Sequence, residues 1–185
     1  TTGGNIHLWS HDDGGRVASF PGHAQGIASM AFSPDGTRLA SGSWSGKVKL
    51  WSVAERSLEQ ALTDHGDWVN AVAFSPDGKT LATASWDGTV HLRAMPTGQT
   101  RVIIPGHSAW GTPLAFTPDG SLLATVRHNN ELALWHTADG TLATTVALPE
   151  QHVTSLAFSP RGHFLAAAAD EGTMFLSPVP AELLS

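Results

Sequence analysis

The phrase Ala-Phe-Ser-Pro-Asp-Gly occupies residues 31–36 and returns at 73–78. It returns again at 115–120 with Thr117 for Ser, and at 157–162 with Arg161 for Asp. The interval is 42 residues each time. A period of that length, held without insertion or deletion, means that one structural unit is reused along the chain. It constrains function too. A catalytic site needs unlike residues converging once, whereas this chain offers like residues at regular intervals, which suits a binding surface.

Composition narrows the class. Of 185 residues, 41% are apolar and only 14% are charged, so solubility rests on Ser, Thr, Asn, Gly and His. No apolar run is long enough to cross a bilayer, and no membrane partner is expected. The net charge is −6 and the 10 Lys and Arg are scattered, whereas phosphate binding needs a basic stripe, so nucleic acid is not an expected partner. Cysteine is absent, which removes disulfides, thiol nucleophiles and thiolate metal sites. The compartment expected is the cytoplasm.

Residues 22–63 serve as one unit. Ile27 to Phe32 is a short, mostly apolar run that suits a strand buried on both faces. Ser33-Pro34-Asp35-Gly36 turns the chain, with Pro fixing φ at the first central position and Gly leaving the turn. A second strand runs from Thr37 to Ser43. A tight turn follows, reading Trp44-Ser45-Gly46 here and Trp86-Asp87-Gly88 in the next copy. Lys47 to Trp51 alternates polar and apolar like a half-buried strand, and Arg56 to Leu62 is a weaker outer one. Four short antiparallel strands per unit, with no helical periodicity, predict an all-β protein. Its sheets cover their faces by stacking around an axis as the blades of a β-propeller.

Gly-His, Phe-Ser-Pro-Asp-Gly, Leu-Ala-Ser-Gly-Ser, Asp-Gly-Thr-Val and Leu-Trp, in that order, resemble the WD-repeat (WD40) family, from about Gly3 to Ser177. The Asp of the family's Trp-Asp pair is missing, since Trp9-Ser10, Trp51-Ser52 and Trp135-His136 stand instead. The expected division is a partial blade of two strands at 1–21, repeats at 22–63, 64–105 and 106–147, a degenerate partial repeat at 148–179, and a tail at 180–185.

The resemblance implies a hydrogen-bonded set in each blade: the His of Gly-His, a Ser or Thr ending the second strand, the Asp of the hairpin and the Trp of the third strand. Carried over, this gives His23, Ser43, Ser45 and Trp51 in the first unit, and His65, Ser85, Asp87 and Arg93 in the second. The third gives His107, Arg127, Asn129 and Trp135, and the fourth Pro149, Ala169, Glu171 and Ser177. No unit holds the full set. Each such bond contributes about 0.5–1.5 kcal/mol, so stability is expected to rest on packing of Phe32, Phe74, Phe116 and Phe158.

No catalytic, metal or cofactor site is expected. His23, His65 and His107 fall one per unit, too far apart to share an ion, and neither His-Glu-x-x-His nor Gly-x-Ser-x-Gly occurs. Asp35, Asp77 and Asp119 belong to turns.

The tryptophans sort by repeat position. Trp9, Trp51 and Trp135 share a third-strand column, expected in the core. Trp44 and Trp86 share the hairpin column with His128 and Asp170. Trp68 and Trp110 share the column after Gly-His with Gly26 and His152. These last two columns meet at one rim, where the resemblance implies that partners dock. The residues expected to bind are Trp44, Trp68, Asn70, Trp86, Trp110, Thr112, His128 and His152.

The leading function is a non-catalytic scaffold that displays this rim to a peptide or protein. The alternatives are a sensor or targeting propeller of a larger enzyme, and a propeller enzyme with a site at the channel mouth. Seventeen expected strands do not divide into fours. The resemblance implies a ring of seven blades, which needs about 300 residues, so the rest of a longer propeller, or other copies of the chain, are expected to close it.

Overall fold

The computed structural model describes residues 4–107, 112–148, 152–170 and 172–183. Strands β1 (Asn5–Trp9) and β2 (Arg16–Pro21) form a two-stranded sheet. Three four-stranded sheets follow. The first is β3 (Ile27–Phe32), β4 (Arg38–Ser43), β5 (Val48–Ser52) and β6 (Ser57–Leu62). The second is β7 (Val69–Phe74), β8 (Thr80–Ser85), β9 (Thr89–Ala94) and β10 (Gln99–Pro105). The third is β11 (Ala115–Phe116), β12 (Leu122–Val126), β13 (Glu131–His136) and β14 (Leu142–Ala147). A three-stranded sheet of β15 (Val153–Phe158), β16 (Phe164–Ala169) and β17 (Met174–Pro178) ends the array. Every pairing is antiparallel and joins sequence neighbours, as in propeller blades, and the sheets do not close into a ring. Among the described residues no helix is long and apolar enough to cross a membrane.

The repeated turn is made by its own side chains. Ser33 Oγ donates to Asp35 Oδ1 at 2.6 Å, and the same carboxylate accepts the Thr37 N–H at 3.0 Å. Ser75–Asp77 and Thr117–Asp119 repeat the arrangement. The turn needs a positive φ at its last residue, and Gly36, Gly78 and Gly120 sit at 69°, 70° and 76°. These hydroxyl and amide donors hold the Asp35 carboxyl down at about 2, so it is an anionic clamp.

Packing follows from strand period two. Leu122, Ala124, Val126, Leu132 and Leu134 of the third blade meet Val153, Leu156 and Leu165 of the last sheet. The residues between them, Leu123, Ala133 and Trp135, meet Ala82, Ala84, Val90 and Leu92 of the second blade. Ala40, Val48, Leu50 and Leu62 meet Val69, Val72 and Leu81 in the same way. The interior is thus a series of apolar wedges, one between each pair of sheets. That is why β8 and β12 are buried along their whole length.

The two-stranded sheet is incomplete and the first wedge beside it is thin, and three expectations fail around it. Trp9 is 64% exposed instead of lying in the core. Phe32 is 54% exposed, and β3 is half-buried to exposed along its length where burial on both faces was expected. Trp9 alternates with Ile6 and Leu8 along β1 and so lies on the face turned away from β3, which no described sheet covers; for Phe32 and β3 the cause is the first wedge itself. Each inner strand packs on the inner strands of the preceding blade, as β7 does on β3 and β4, but the sheet before β3 has only β1 and β2. An open apolar groove of about 250 Å³ remains, lined by Ile6, Leu8, Met30, Phe32 and Leu39. Phe74, Phe116 and Phe158, whose neighbours are present, are half-buried.

Trp51 is 3% exposed, with Phe20 at 5.4 Å between ring centres. Its replacement by Ala should lower the free energy of unfolding by about 3–5 kcal/mol. The same change at Trp9, in the same repeat column, should shift it by no more than about 0.5 kcal/mol. Urea denaturation of both variants checks this.

Candidate functional site

Inside each blade a hydroxyl links a histidine to the third strand, and it is not the one expected. His23 Nε2 lies 2.7 Å from Ser41 Oγ, which accepts the Trp51 Nε1–H at 2.9 Å. His107 Nε2 lies 2.9 Å from Thr125 Oγ1, which accepts from Trp135 Nε1 at 2.8 Å. In the second blade His65 pairs with Thr83 at 2.8 Å. Ser43 and Ser85 are therefore corrected to Ser41 and Thr83, and Arg127 to Thr125. The reason is register. Trp51 stands opposite Leu39, and its indole reaches the diagonal neighbour Ser41. Ser43 lies at the hairpin end, where its Oγ is 2.7 Å from Ser45 Oγ, and Ser85 donates to the Asp67 carbonyl. Arg127 pairs with Glu131 at 3.0 Å, and Asn129 is exposed. Pro149 and Glu171 of the fourth set lie outside the described residues; the equivalent hydroxyl position there is Ala167.

The far nitrogen of each histidine distinguishes the blades. His65 Nδ1 meets Asp87 Oδ2 at 2.9 Å and His107 Nδ1 meets the Ile104 carbonyl at 3.1 Å, whereas His23 Nδ1 is buried with no partner. Ser45 occupies the position of Asp87 and bonds to Ser43 instead. Ser45→Asp should supply the missing acceptor and stabilise the chain by about 1 kcal/mol, read as a higher urea midpoint that His23→Gln abolishes.

Where Trp is replaced, the second blade has rebuilt the site. Arg93 is 1% exposed, and its guanidinium donates to Asp64 at 2.8 Å, Thr100 at 2.8 Å and His91 Nδ1 at 3.1 Å. Those residues stand where the first repeat has Trp51, Gly22, Leu58 and Lys49. Four columns change together in one repeat, a signal that column-by-column comparison could have found. Hydrogen bonds from Arg93 and Thr100 hold the Asp64 carboxyl below its usual range although burial opposes them.

Burial pushes His23, His91 and His107 down to about 4, and lowers His65 against the pull of Asp87. The folded state then binds fewer protons than the unfolded chain, whose histidines titrate near 6.5. Stability from these groups is complete above that pH and is lost as pH falls toward 4. The urea midpoint should drop steadily from pH 7 to pH 4.5. A flat profile would contradict neutral buried histidines.

At the opposite end from the Ser-Pro-Asp-Gly turns, the two loop columns meet. The Trp86 N–H donates to the Trp68 carbonyl at 2.9 Å, and Trp44 donates to Gly26 at 3.1 Å, so hairpin and loop are joined in each blade. Above these bonds three rings stack: Trp44 and Trp68 at 5.6 Å and 26°, Trp68 and Trp86 at 4.6 Å and 32°. Trp44 is 45% exposed, Trp68 39%, and Trp86 is half-buried. The ladder crosses from the first blade to the second. Asp87 anchors it by accepting the Gly66 N–H at 2.9 Å beside His65.

The other rim candidates divide. Trp110 lies outside the described residues. Thr112 is fully buried and Asn70 half-buried. The Asn70 amide donates to the Ala84 carbonyl at 3.1 Å and accepts the Thr112 N–H at 2.9 Å. This pair ties the second blade to the third, which corrects its expected role as a partner contact. Asn70, Thr112 and His152 nevertheless line one cavity of about 220 Å³. His152 and His128 are exposed, His152 with Asp170 at 3.9 Å, His128 with Nδ1 2.8 Å from the Gly106 carbonyl. No group of three or more potential metal ligands occurs among the described residues.

The family model described as WD domain, G-beta repeat matches residues 14–52, 56–93 and 140–176, more than half of the chain. The chain belongs to the WD-repeat family. Each match is offset from a sheet. Residues 56–93 begin with β6, the outer strand of the first blade, and continue through β7, β8 and β9 of the second. A WD repeat therefore staples two blades together. Its Trp68 and Trp86 ride on one repeat and Trp44 on the one before. WD40 repeats are in general protein-interaction modules and typically non-catalytic. A comparison with curated proteins finds no match.

Proposed function

We propose that this WD-repeat chain is a non-catalytic scaffold that presents the rim of Trp44, Trp68, Trp86 and the neighbouring histidines, His128 and His152, to a peptide or a loop of a partner protein. The observation that carries the reading is the stacked ladder. Three large rings are held over a loop bonded to a hairpin, and no apolar wedge needs them. Rigid, partly exposed tryptophans give large contact area at low entropic cost and dominate binding energy where they occur. We also propose that strands from a longer propeller or from other copies complete the two-stranded and three-stranded sheets, because the apolar groove at Phe32 and Met30 lacks a cover.

Affinity capture with the whole chain as bait, read by quantitative mass spectrometry, tests the rim. At least one protein retained by the wild type and by Trp9→Ala should be lost with Trp68→Ala, at a cost of about 2 kcal/mol or more. Folding stability should fall by only about 1 kcal/mol, the scale of the lost ring stacking. A captured set indifferent to Trp68→Ala would remove the rim from the account.

A further inference from the structure

Resting on that rim reading, we propose that the ladder of Trp44, Trp68 and Trp86 binds an arginine side chain of the partner, whose guanidinium lies against ring surface while it donates to the Asp67 carboxylate. The loop that carries Trp68 sets this up. Gly66, Asp67 and Trp68 run between the two tryptophan hairpins. On one side, a Cβ added to Gly46 would stand 3.1 Å from the Asp67 carbonyl oxygen. On the other, that carbonyl accepts from Ser85 Oγ at 2.9 Å, and the Gly66 N–H donates to Asp87 at 2.9 Å. Asp67 therefore sits between the hairpin of Trp44 and that of Trp86, next to Trp68 in the chain. Its Oδ1 accepts the Trp68 N–H at 2.7 Å, which fixes the carboxylate on the loop. The side chain is exposed, and among the described residues Oδ2 accepts no hydrogen bond and no cation pairs with it.

Charge selects the ligand class. Asp87 has its bonds made, Oδ1 with Thr89 and Oδ2 with Gly66 and His65. Although burial opposes it, donors from Thr89, Gly66 and His65 hold its carboxyl at about 2. Burial lowers His65 as well, so that ring is neutral at pH 7 and leaves the Asp87 charge uncompensated. Cations nearby are engaged elsewhere: Arg93 donates to Asp64, Arg127 to Glu131 and Lys49 to the Gly22 carbonyl, while Lys47 acts on His23. An anion at the ladder would meet two carboxylates. A cation meets the same carboxylates as attractions, together with indole rings, whose faces also attract positive charge. Trp44 and Trp68, 45% and 39% exposed, bring ring surface to solvent. The chain makes such a contact internally, with Lys49 Nζ 5.2 Å from the Trp51 ring centre. Arginine suits the rim better than lysine. Its guanidinium is planar and weakly hydrated, stacks on aromatic rings and offers a fork of N–H groups to a carboxylate, whereas an ammonium is a strongly hydrated point charge.

Fluorescence anisotropy with the whole chain tests this, using labelled peptides of equal length made of Arg and Ser, Lys and Ser, Asp and Ser, or Gly and Ser. The salt is set at about 0.15 M, where distant charges are screened. The Arg-Ser peptide should bind about fivefold or more tightly than the Lys-Ser peptide, and the other two should not bind. Asp67→Asn keeps an oxygen for the Trp68 N–H and removes the charge; it should weaken Arg-Ser about five- to tenfold. Asp12→Asn, the same charge change on the exposed β1–β2 turn, should leave it unchanged. Trp68→Leu keeps apolar bulk without a ring and should abolish the preference for Arg over Lys. Lys-Ser binding as tightly as Arg-Ser, or Asp67→Asn acting no more than Asp12→Asn, overturns the proposal. If partner capture needs Trp68 while Arg-Ser binding ignores Asp67, the proposal falls and the rim reading stands.

Discussion

Each four-stranded sheet in this protein buries apolar side chains on both faces, and the rest of the structure depends on that. A four-stranded sheet cannot cover two faces by itself, so each blade is stable only between neighbours. Alternate residues of one strand serve different wedges: Leu122 and Ala124 face the last sheet, while Leu123 faces the second blade. The 42-residue period repeats the wedge from blade to blade while its side chains vary. Where a neighbour is incomplete the rule shows its cost, in the exposure of Met30 and Phe32 beside β1.

Within a blade, polar chemistry is subordinate to packing but not idle. The indole of Trp51, the hydroxyl of Ser41 and the ring of His23 form a buried relay that pins the Gly-His loop to the third strand. Arg93 shows what keeping such a relay demands when the indole is lost. A buried guanidinium needs acceptors on all sides, and Asp64, Thr100 and His91 supply them in place of Gly22, Leu58 and Lys49. Asp87 then connects this interior to the surface, because the carboxylate that meets His65 also fixes Gly66, two residues before Trp68.

Strand order, turn chemistry and the rim were legible in the sequence because each depends on residues near one another within a repeat. Pro34, Asp35 and Gly36 announce their turn, and Trp68 and Trp86 reach one rim because antiparallel neighbours alternate direction. Exposure around the two-stranded sheet was not legible, since Trp9 and Trp51 share a column and differ only in what lies beside them. Nor was the relay hydroxyl. Ser41 and Ser43 point to the same face of β4, and only the diagonal reach of Trp51 selects between them. The burial of Thr112 depends on a contact between blades, which no single repeat encodes.

The proposed function rests on two kinds of tryptophan, one buried inside the blades and one at the rim, proposed to meet a partner. Indole N–H resonances separate them in one nitrogen-correlated NMR spectrum. Slow solvent exchange is expected for Trp51 and Trp135, whose N–H groups are bonded and buried, and fast exchange for Trp44 and Trp68. Adding a bound partner should shift only the second pair. Protected Trp44 and Trp68 in the free protein, or partner-induced shifts at Trp51 and Trp135, would contradict it.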